Sequence, residues 1–456
     1  MAKKKQIELT IEEKLQNALV PKEEQPYKIP SNWCWSYWKY CGKFIAGNGF
    51  KNIYQGFTQY DIPYYKVGSL KFCDEGNYLI DETNTINEEI RTKLKAVKIP
   101  VNSIIFAKIG EAIKLNRRCL NKIECCIDNN LMAFISEKYF YKYIFYWTKS
   151  LNFYELTNAT TVPALRKTDL ENIPIPLPPL NEQQRIVNII ESLFAKLDRA
   201  KELIENTLAQ FEQNKMAILH KAFIGELTAK WRKENNIDLS SWQEKTVDEL
   251  CTSLKYGTSK KSNPEGSVVV LRMGNLQNGE IDWSNLMYTD DKDDIEKYLL
   301  KKGDVLFNRT NSPELVGKTS IYRGEYPAIY AGYLIKLDYG KDIIGEYLNY
   351  MMNSTKAKHY CYTVKTDGVS QSNINAKKIG AFEIPVPTIE EQQEIVNILD
   401  KLLAKYNKIK NLEQQLEKIE LLKKAILAKA FRGELGTNNP DEESAENLLK
   451  EILAEK

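Results

Sequence analysis

The sequence predicts an α+β protein: two mixed α/β heads joined by two long antiparallel coiled-coil helices in a pseudo-twofold arrangement. Three observations predict it. First, Pro178-Pro179-Leu180-Asn181-Glu182-Gln183-Gln184-Arg185-Ile186-Val187 returns 209 residues later as Pro387-Thr388-Ile389-Glu390-Glu391-Gln392-Gln393-Glu394-Ile395-Val396. Second, each block opens a heptad-like stretch, and the two stretches end alike, in Lys221-Ala222-Phe223-Ile224-Gly225-Glu226-Leu227 and Lys429-Ala430-Phe431-Arg432-Gly433-Glu434-Leu435. Third, the segments ahead of the stretches hardly resemble one another, so a duplicated frame carries two unlike heads.

In chain order, residues 1–30 are read as an N-terminal helix, Ile7 to Leu19, stopped by Pro21, and a polar linker. Residues 31–172 form the first head, rich in aromatics, with a strand over Ile99–Ile109 and a helix over Phe140–Leu151. Residues 173–228 are the first helical region. Its alternating prolines, Pro174, Pro176, Pro178 and Pro179, hold the chain extended because proline lacks an N–H and restrains its predecessor. Asn181 is the expected N-cap. Apolar residues at Ile186, Ile190, Leu193, Leu197, Ala200 and Ile204 alternate steps of four and three, a coiled-coil seam that slips near Leu208 and resumes through Phe211 and Ile218. From Asn181 to Phe223 such a helix spans about 64 Å, and Gly225 ends it.

Residues 229–241 are a polar linker and 242–382 the second head, with strands expected over Ser267–Met273, Asp304–Arg309 and Ala328–Leu337. Residues 383–435 repeat the helical region, with a seam at Ile395, Leu399, Leu402, Tyr406, Ile409, Leu412, Leu416, Ile419 and Ile426. Residues 436–456 are an acidic linker and a last helix, Ala445 to Ala454. Two seams of matched length bury each other most simply as an antiparallel pair.

The 456 residues exceed one ordinary domain, and 43% hydrophobic content supports real cores. No apolar run approaches the roughly 18 residues of a membrane span. The basic start, Lys3-Lys4-Lys5, has no apolar stretch behind it, unlike a secretory signal, so the chain reads as cytoplasmic. Eight cysteines without a C-x-x-C pair and two histidines, His220 and His359, give no zinc pattern; reduced, mostly buried thiols are expected. The net charge of +3 hides two basic stretches, Lys93 to Lys122 and Lys356 to Lys378, one per head. Ordinary solvated lysine is the alternative to a binding role for either.

Catalytic signatures are missing. Val316-Gly317-Lys318-Thr319 ends like a phosphate loop but has no upstream glycine at Asn311 or Ser312. No Gly-x-Gly-x-x-Gly follows a strand, and no Asn/Asp-Pro-Pro-aromatic run marks an amino-methyltransferase site. The histidines are too few and too far apart for a nucleophilic triad. A chain without catalysis of its own is expected.

Two basic, aromatic heads on a rigid spacer suit double-stranded DNA. Lysine and arginine neutralise phosphates, while Arg, Asn and Gln reach base edges. The candidates are Lys108, Lys114, Arg117, Arg118 and Arg166 in the first head, and Arg309, Lys318, Lys365, Gln371 and Asn373 in the second. Each has a structural alternative: Asn308 to Pro313 as a capped loop, and Gln371-Ser372-Asn373 as the N-cap of a short helix through Lys378. Asn373 falls on Ala164 at the 209-residue offset, so the loop ahead of the short helix is expected not to be shared between heads. For the whole chain the alternative is a coiled-coil scaffold without DNA specificity.

With these motifs the chain resembles the specificity subunit of type I restriction–modification systems. The residues that carry the resemblance are Leu19-Val20-Pro21 through Ile29-Pro30-Ser31-Asn32-Trp33, Thr161-Val162-Pro163-Ala164-Leu165-Arg166, Gly303-Asp304-Val305-Leu306-Phe307, Gln371-Ser372-Asn373-Ile374 and the twice-occurring Pro-rich, Glu-Gln-Gln and Ala-Phe-x-Gly-Glu-Leu pieces. The resemblance implies that the heads are target recognition domains, each reading half of an asymmetric bipartite site. It implies that the helices set the gap and dock two adenine methyltransferase subunits, helped by the terminal helices near Leu15 and Leu449. S-adenosylmethionine would then sit in the methyltransferase partner. The resemblance leaves open whether two restriction subunits, using ATP and Mg, join as well.

Overall fold

The computed structural model describes residues 10–157, 162–404 and 410–454. Ile7, Thr161, Tyr406 and Ile409, each part of an expected element or motif, lie outside the described residues. The chain divides into two compact units: residues up to Glu202 together with those from Gln415 onward, and Leu203–Gln414. Each unit therefore takes its head, the start of one long helical region and the end of the other.

In the first unit the proline-rich lead-in, Pro174–Leu177, pairs antiparallel with Cys34–Tyr37, with Leu177 opposite Cys34. A two-stranded ribbon has free edges, where prolines without an N–H are tolerated. The head holds a four-stranded antiparallel sheet in the order Gly42–Ala46, Leu131–Ser136, Ile104–Ala107, Arg118–Leu120. Beside it, Ile62–Tyr65 pairs antiparallel with Thr85–Ile86 and parallel with Cys126–Ile127. Trp38, fully buried, centres an aromatic core with Phe44, Phe134 and Trp147 at ring distances of 4.7, 5.0 and 5.0 Å.

The second unit repeats this plan. Glu383–Val386 pairs with Gln243–Thr246, and Val386 opposite Gln243 keeps the 209-residue offset on both strands. The four-stranded sheet runs Cys251–Tyr256, Leu334–Tyr339, Val305–Asn308, Thr319–Ile321. Val268–Leu271 pairs antiparallel with Tyr288–Thr289 and parallel with Ala328–Tyr330. Heads unlike in sequence thus share one topology.

The repeated motif residues are internal locks. Glu182 is fully buried and accepts from Trp33 Nε1 (2.8 Å), Thr437 Oγ1 (3.0 Å) and Asn438 Nδ2 (3.1 Å). Glu391 is as buried and accepts from Trp242 Nε1 (2.9 Å), Thr228 Oγ1 (2.6 Å) and Arg232 Nη1 (2.6 Å). Gln183 accepts from the backbone N–H of Phe140 and donates to the Pro178 carbonyl; Gln392 does the same with Ile344 and Pro387. Tyr143 donates to the Pro176 carbonyl and packs edge-on against Phe431. Tyr347 donates to the Pro385 carbonyl and packs edge-on against Phe223. The Ala-Phe end of each helical region is therefore seated in the unit whose head the other region leaves.

The first long helix is Leu180–Phe223. In the first unit it runs antiparallel to the second region: Lys423 pairs with Asp198 at 2.5 Å, Lys201 with Glu420 at 3.7 Å, and Lys423 Nζ lies 5.3 Å from the Phe194 ring centre. The described parts of the second region are Ile389–Ala404 and Lys410–Phe431. The terminal helices Ile11–Ala18 and Ala445–Ala454 pack together in the first unit, burying Leu15 and Leu449, and Lys14 donates to the Leu453 carbonyl.

Several local expectations are corrected. Asn181 is the second residue of its helix rather than its cap. The strand expected over Ile99–Ile109 is cut to Ile104–Ala107, because Asn102 takes φ +62° in a turn. Ala328–Leu337 is two strands in different sheets, Ala328–Tyr330 and Leu334–Tyr339, parted where Gly332 closes on the Thr258 carbonyl.

Candidate nucleic-acid interface

In the first head the sheet strand Ile104–Ala107 runs out into a loop that meets the segment ahead of the short helix Lys167–Glu171. Ile109 bridges Ala164, Leu165 N–H donates to the Lys108 carbonyl at 2.8 Å, and Gly110 N–H donates to the Pro163 carbonyl at 2.8 Å. Gly110 takes φ +84°, a turn that favours glycine. This junction brings half-buried Lys108 and exposed Arg166 together. The turn after Gly110 carries Lys114, which is exposed, pairs with Glu111 at 2.8 Å and lies 5.1 Å from the Tyr154 ring centre. Arg117 is exposed too, and Ile109, Leu115, Tyr154 and Val162 add apolar surface to this face.

Arg118 does not belong to the set. It is 3% exposed, its guanidinium stacks 3.7 Å from the Phe153 ring centre, and it donates to the carbonyls of Asn116 and Leu151. Burial lowers its pKa. It ties the strand Arg118–Leu120 to the segment after the helix Tyr141–Ser150, and so cannot reach a base edge.

The second head builds the same junction. Thr310 pairs with Asn373, and Ile374 N–H donates to the Arg309 carbonyl at 2.8 Å. The backbone of the pre-helix loop is therefore shared between the heads, against the expectation drawn from Ala164 and Asn373; only the side chains differ. Nor is Gln371-Ser372-Asn373 a cap: Ser372–Asn373 is a strand, and Asn375 caps the short helix Ala376–Gly380 by accepting from Lys378 N–H. Asn308 to Pro313 is more than a capped loop, since Thr310–Asn311 joins that strand.

Here four candidates come together. Arg309 Nη2 donates to Asn373 Oδ1 at 3.2 Å, and its guanidinium lies 4.9 Å from the Tyr256 ring centre. Asn373 Nδ2 donates to Thr310 Oγ1 at 2.8 Å. A hairpin of Thr366–Asp367 and Ser372–Asn373 presents exposed Gln371, with Val369 fully exposed at its tip. Lys365 at its base pairs with Asp367, and hydrogen bonds from Lys365 and Ser372 hold the Asp367 carboxyl below its usual range. Lys318 sits apart, in a cleft, where its Nζ donates to Gln277 Oε1 at 2.8 Å and burial lowers its pKa.

Sequence reasoning missed Tyr154, Tyr256 and Tyr362, the aromatics beneath Lys114, Arg309 and Lys365. Each lies far from its partner in sequence or in an unremarkable helix, so no local pattern marked it. Gly317-Lys318-Thr319 is no phosphate loop: the Gly317 N–H is spent on the Asn308 carbonyl, and a Cβ there would meet Cys361 Sγ at 2.8 Å. Among the described residues no cluster of His, Cys, Asp and Glu could hold a metal, and no helix is long and apolar enough to cross a membrane.

Two heads of one topology, the first presenting Lys108, Lys114, Arg117 and Arg166 and the second Arg309, Gln371 and Asn373 on a junction held by a sheet, define a DNA-recognition protein. The pattern described as the type I restriction modification DNA specificity domain matches residues 52–210 and 240–421, and the chain belongs to that family. The chain is 30% identical over 315 residues to the type I restriction enzyme EcoKI specificity subunit of Escherichia coli K12, covering 66% of this chain and 68% of that protein. It is 29% identical over 335 residues to the StySPI specificity subunit of Salmonella potsdam, covering 69% and 71%. A solved structure bearing on complex assembly and conformational transition of the type I R-M system superposes with a TM-score of 0.65 at 19% identity, over 90% of this chain and all of that one. That likeness bears out the α+β fold class. The chain is a specificity subunit and non-catalytic; the scaffold alternative is not favoured.

Proposed function

We propose that each head reads one half of an asymmetric bipartite site in double-stranded DNA, through the strand-to-loop junctions just described. Lys108, Lys114, Arg117 and Arg166 serve the first half-site; Arg309, Gln371 and Asn373 serve the second, with Lys318 and Lys365 as backbone contacts. The observation that carries this is the repeated junction, Leu165 to Lys108 and Ile374 to Arg309, on which one backbone geometry bears different side chains. Different side chains on one scaffold are what two unlike half-sites require.

The long helices set the unread gap and dock two adenine methyltransferase subunits that hold S-adenosylmethionine; restriction subunits using ATP and Mg complete the cleaving form. The complex works in the cytoplasm. Mapping methylated adenines in a host with and without this gene tests the proposal. An interrupted, asymmetric motif that vanishes with the gene is expected, and a methylation map indifferent to the gene would sink it.

A further inference from the structure

A cavity of about 390 Å³ lies in the second unit between the long helix and the head. Lys215 and Met216 line it from the helix; Leu315, Lys318, Lys358 and Tyr362 line it from the head. Elsewhere in this head, Lys336 has Asp304 and Asp338 for counter-charges, and Arg323 has Glu280 and Glu346. Lys215, Lys318 and Lys358 have no ion pair among the described residues. Lys318 donates to the neutral Gln277, and Lys358 reaches only Met216 Sδ at 4.0 Å.

We propose that Lys215, Lys318 and Lys358 form a phosphate site that holds one backbone phosphodiester of the bound duplex. Three ammonium groups around one cavity repel each other unless an anion joins them. The Lys358 pKa is lowered by burial, raised by Glu212 and lowered again by Lys215 and Lys318, so the cations do feel one another. The two carboxylates that line the cavity, Glu212 and Glu314, are exposed and pair with none of the three lysines, which leaves the site net positive. Leu315, Met216 and Tyr362 supply apolar wall for a deoxyribose. The occupant follows from continuity, because Lys318 ends the loop that begins at Arg309. The proposal rests on the DNA-reading role of this head and adds the spacer helix, through Lys215, as a phosphate contact.

The test uses the chain assembled with its methyltransferase subunits. Affinity for duplexes carrying the mapped motif is measured against salt. In the Lys215→Met/Lys358→Met double variant the slope of log affinity on log salt should become shallower by about 0.9, the value of one lost phosphate contact, with the motif unchanged. Lys358→Arg should keep the slope. Lys356→Met, two residues earlier in the same helix but paired with Glu244 at 3.3 Å, should not alter it. An unchanged slope in the double variant, in a complex that still prefers its motif, overturns the phosphate site alone. A wild-type complex with no sequence preference overturns the DNA reading and the site together.

Discussion

The indole N–H of Trp33 donates to the buried carboxylate of Glu182 at 2.8 Å, tying the first residues of a head to the first turn of the helix that leaves it. Trp242 and Glu391 repeat the bond at 2.9 Å, but only Glu391 also faces a cation, Arg232, which is 9% exposed. The two locks should therefore fail differently. Glu391→Gln leaves a buried guanidinium without its counter-charge and should cost about 3–5 kcal/mol. Glu182→Gln weakens three neutral-donor bonds and should cost about 1–2 kcal/mol. Urea midpoints of the two variants check the order.

The glycines after the Ala-Phe ends should also differ. Both have positive φ, +82° at Gly225 and +74° at Gly433. A Cβ at Gly433 would meet the rigid Pro30 ring at 2.5 Å, whereas at Gly225 it would meet Leu239 Cδ1, the far end of a flexible side chain, at the same distance. Gly433→Ala should lose more than the roughly 1–2 kcal/mol of backbone strain alone, and Gly225→Ala about that amount. Thermal unfolding of each variant measures the difference.

Arg118 and Arg309 separate structure from recognition. Arg118→Met leaves the part-buried Asn116 carbonyl without its guanidinium donor and the Leu151 carbonyl with only Asn116 Nδ2, and should cost about 1–3 kcal/mol, with the DNA motif kept. Arg309→Ala should leave the first half-site intact and relax the second by about 1–3 kcal/mol at one base pair. Paired melting and methylation-motif measurements distinguish the two.

Lys149 gives a pH test. Burial lowers its pKa from 10.5 to about 8, with Cys119 and Cys73 opposing the shift and Arg118 and Lys423 adding to it. Its ammonium donates to the neutral Asn77 Oδ1 at 2.5 Å. Between about 8 and 10.5 the unfolded chain holds this proton and the folded chain does not, so Lys149 adds stability as pH rises through that window. Below it the buried charge is a cost. Lys149→Met should be more stable than wild type near neutrality, with the gain shrinking towards pH 10.5. Stability of both proteins across this range checks the sign.

The frame was legible in the sequence because its chemistry is local and repeated. Proline lead-ins, Glu-Gln-Gln and Ala-Phe-x-Gly-Glu-Leu each sit on one short stretch, and their structural partners, Trp33 and Trp242, keep the same offset. The kinship of the heads was hidden, since strands of two to six residues carry little pattern and paired positions such as Lys108 with Leu165 are distant in sequence. Arg118 looked like its neighbour Arg117; only the parity of a strand, visible once Arg118–Leu120 pairs with Ile104–Ala107, turns one inward. Gly332 ends one strand and starts another through a backbone approach to Thr258 that no local residue pattern announces.

The central claim is that the heads are separate readers on a shared frame. The most direct measurement replaces residues 247–382, the second head inside its Trp242 and Glu391 lock, with the matching segment of a relative of known motif, and maps the methylated adenines. The account predicts that one half-site changes to the relative's while the other half-site and the gap length stay. A motif altered in both halves, or unchanged in both, would contradict it.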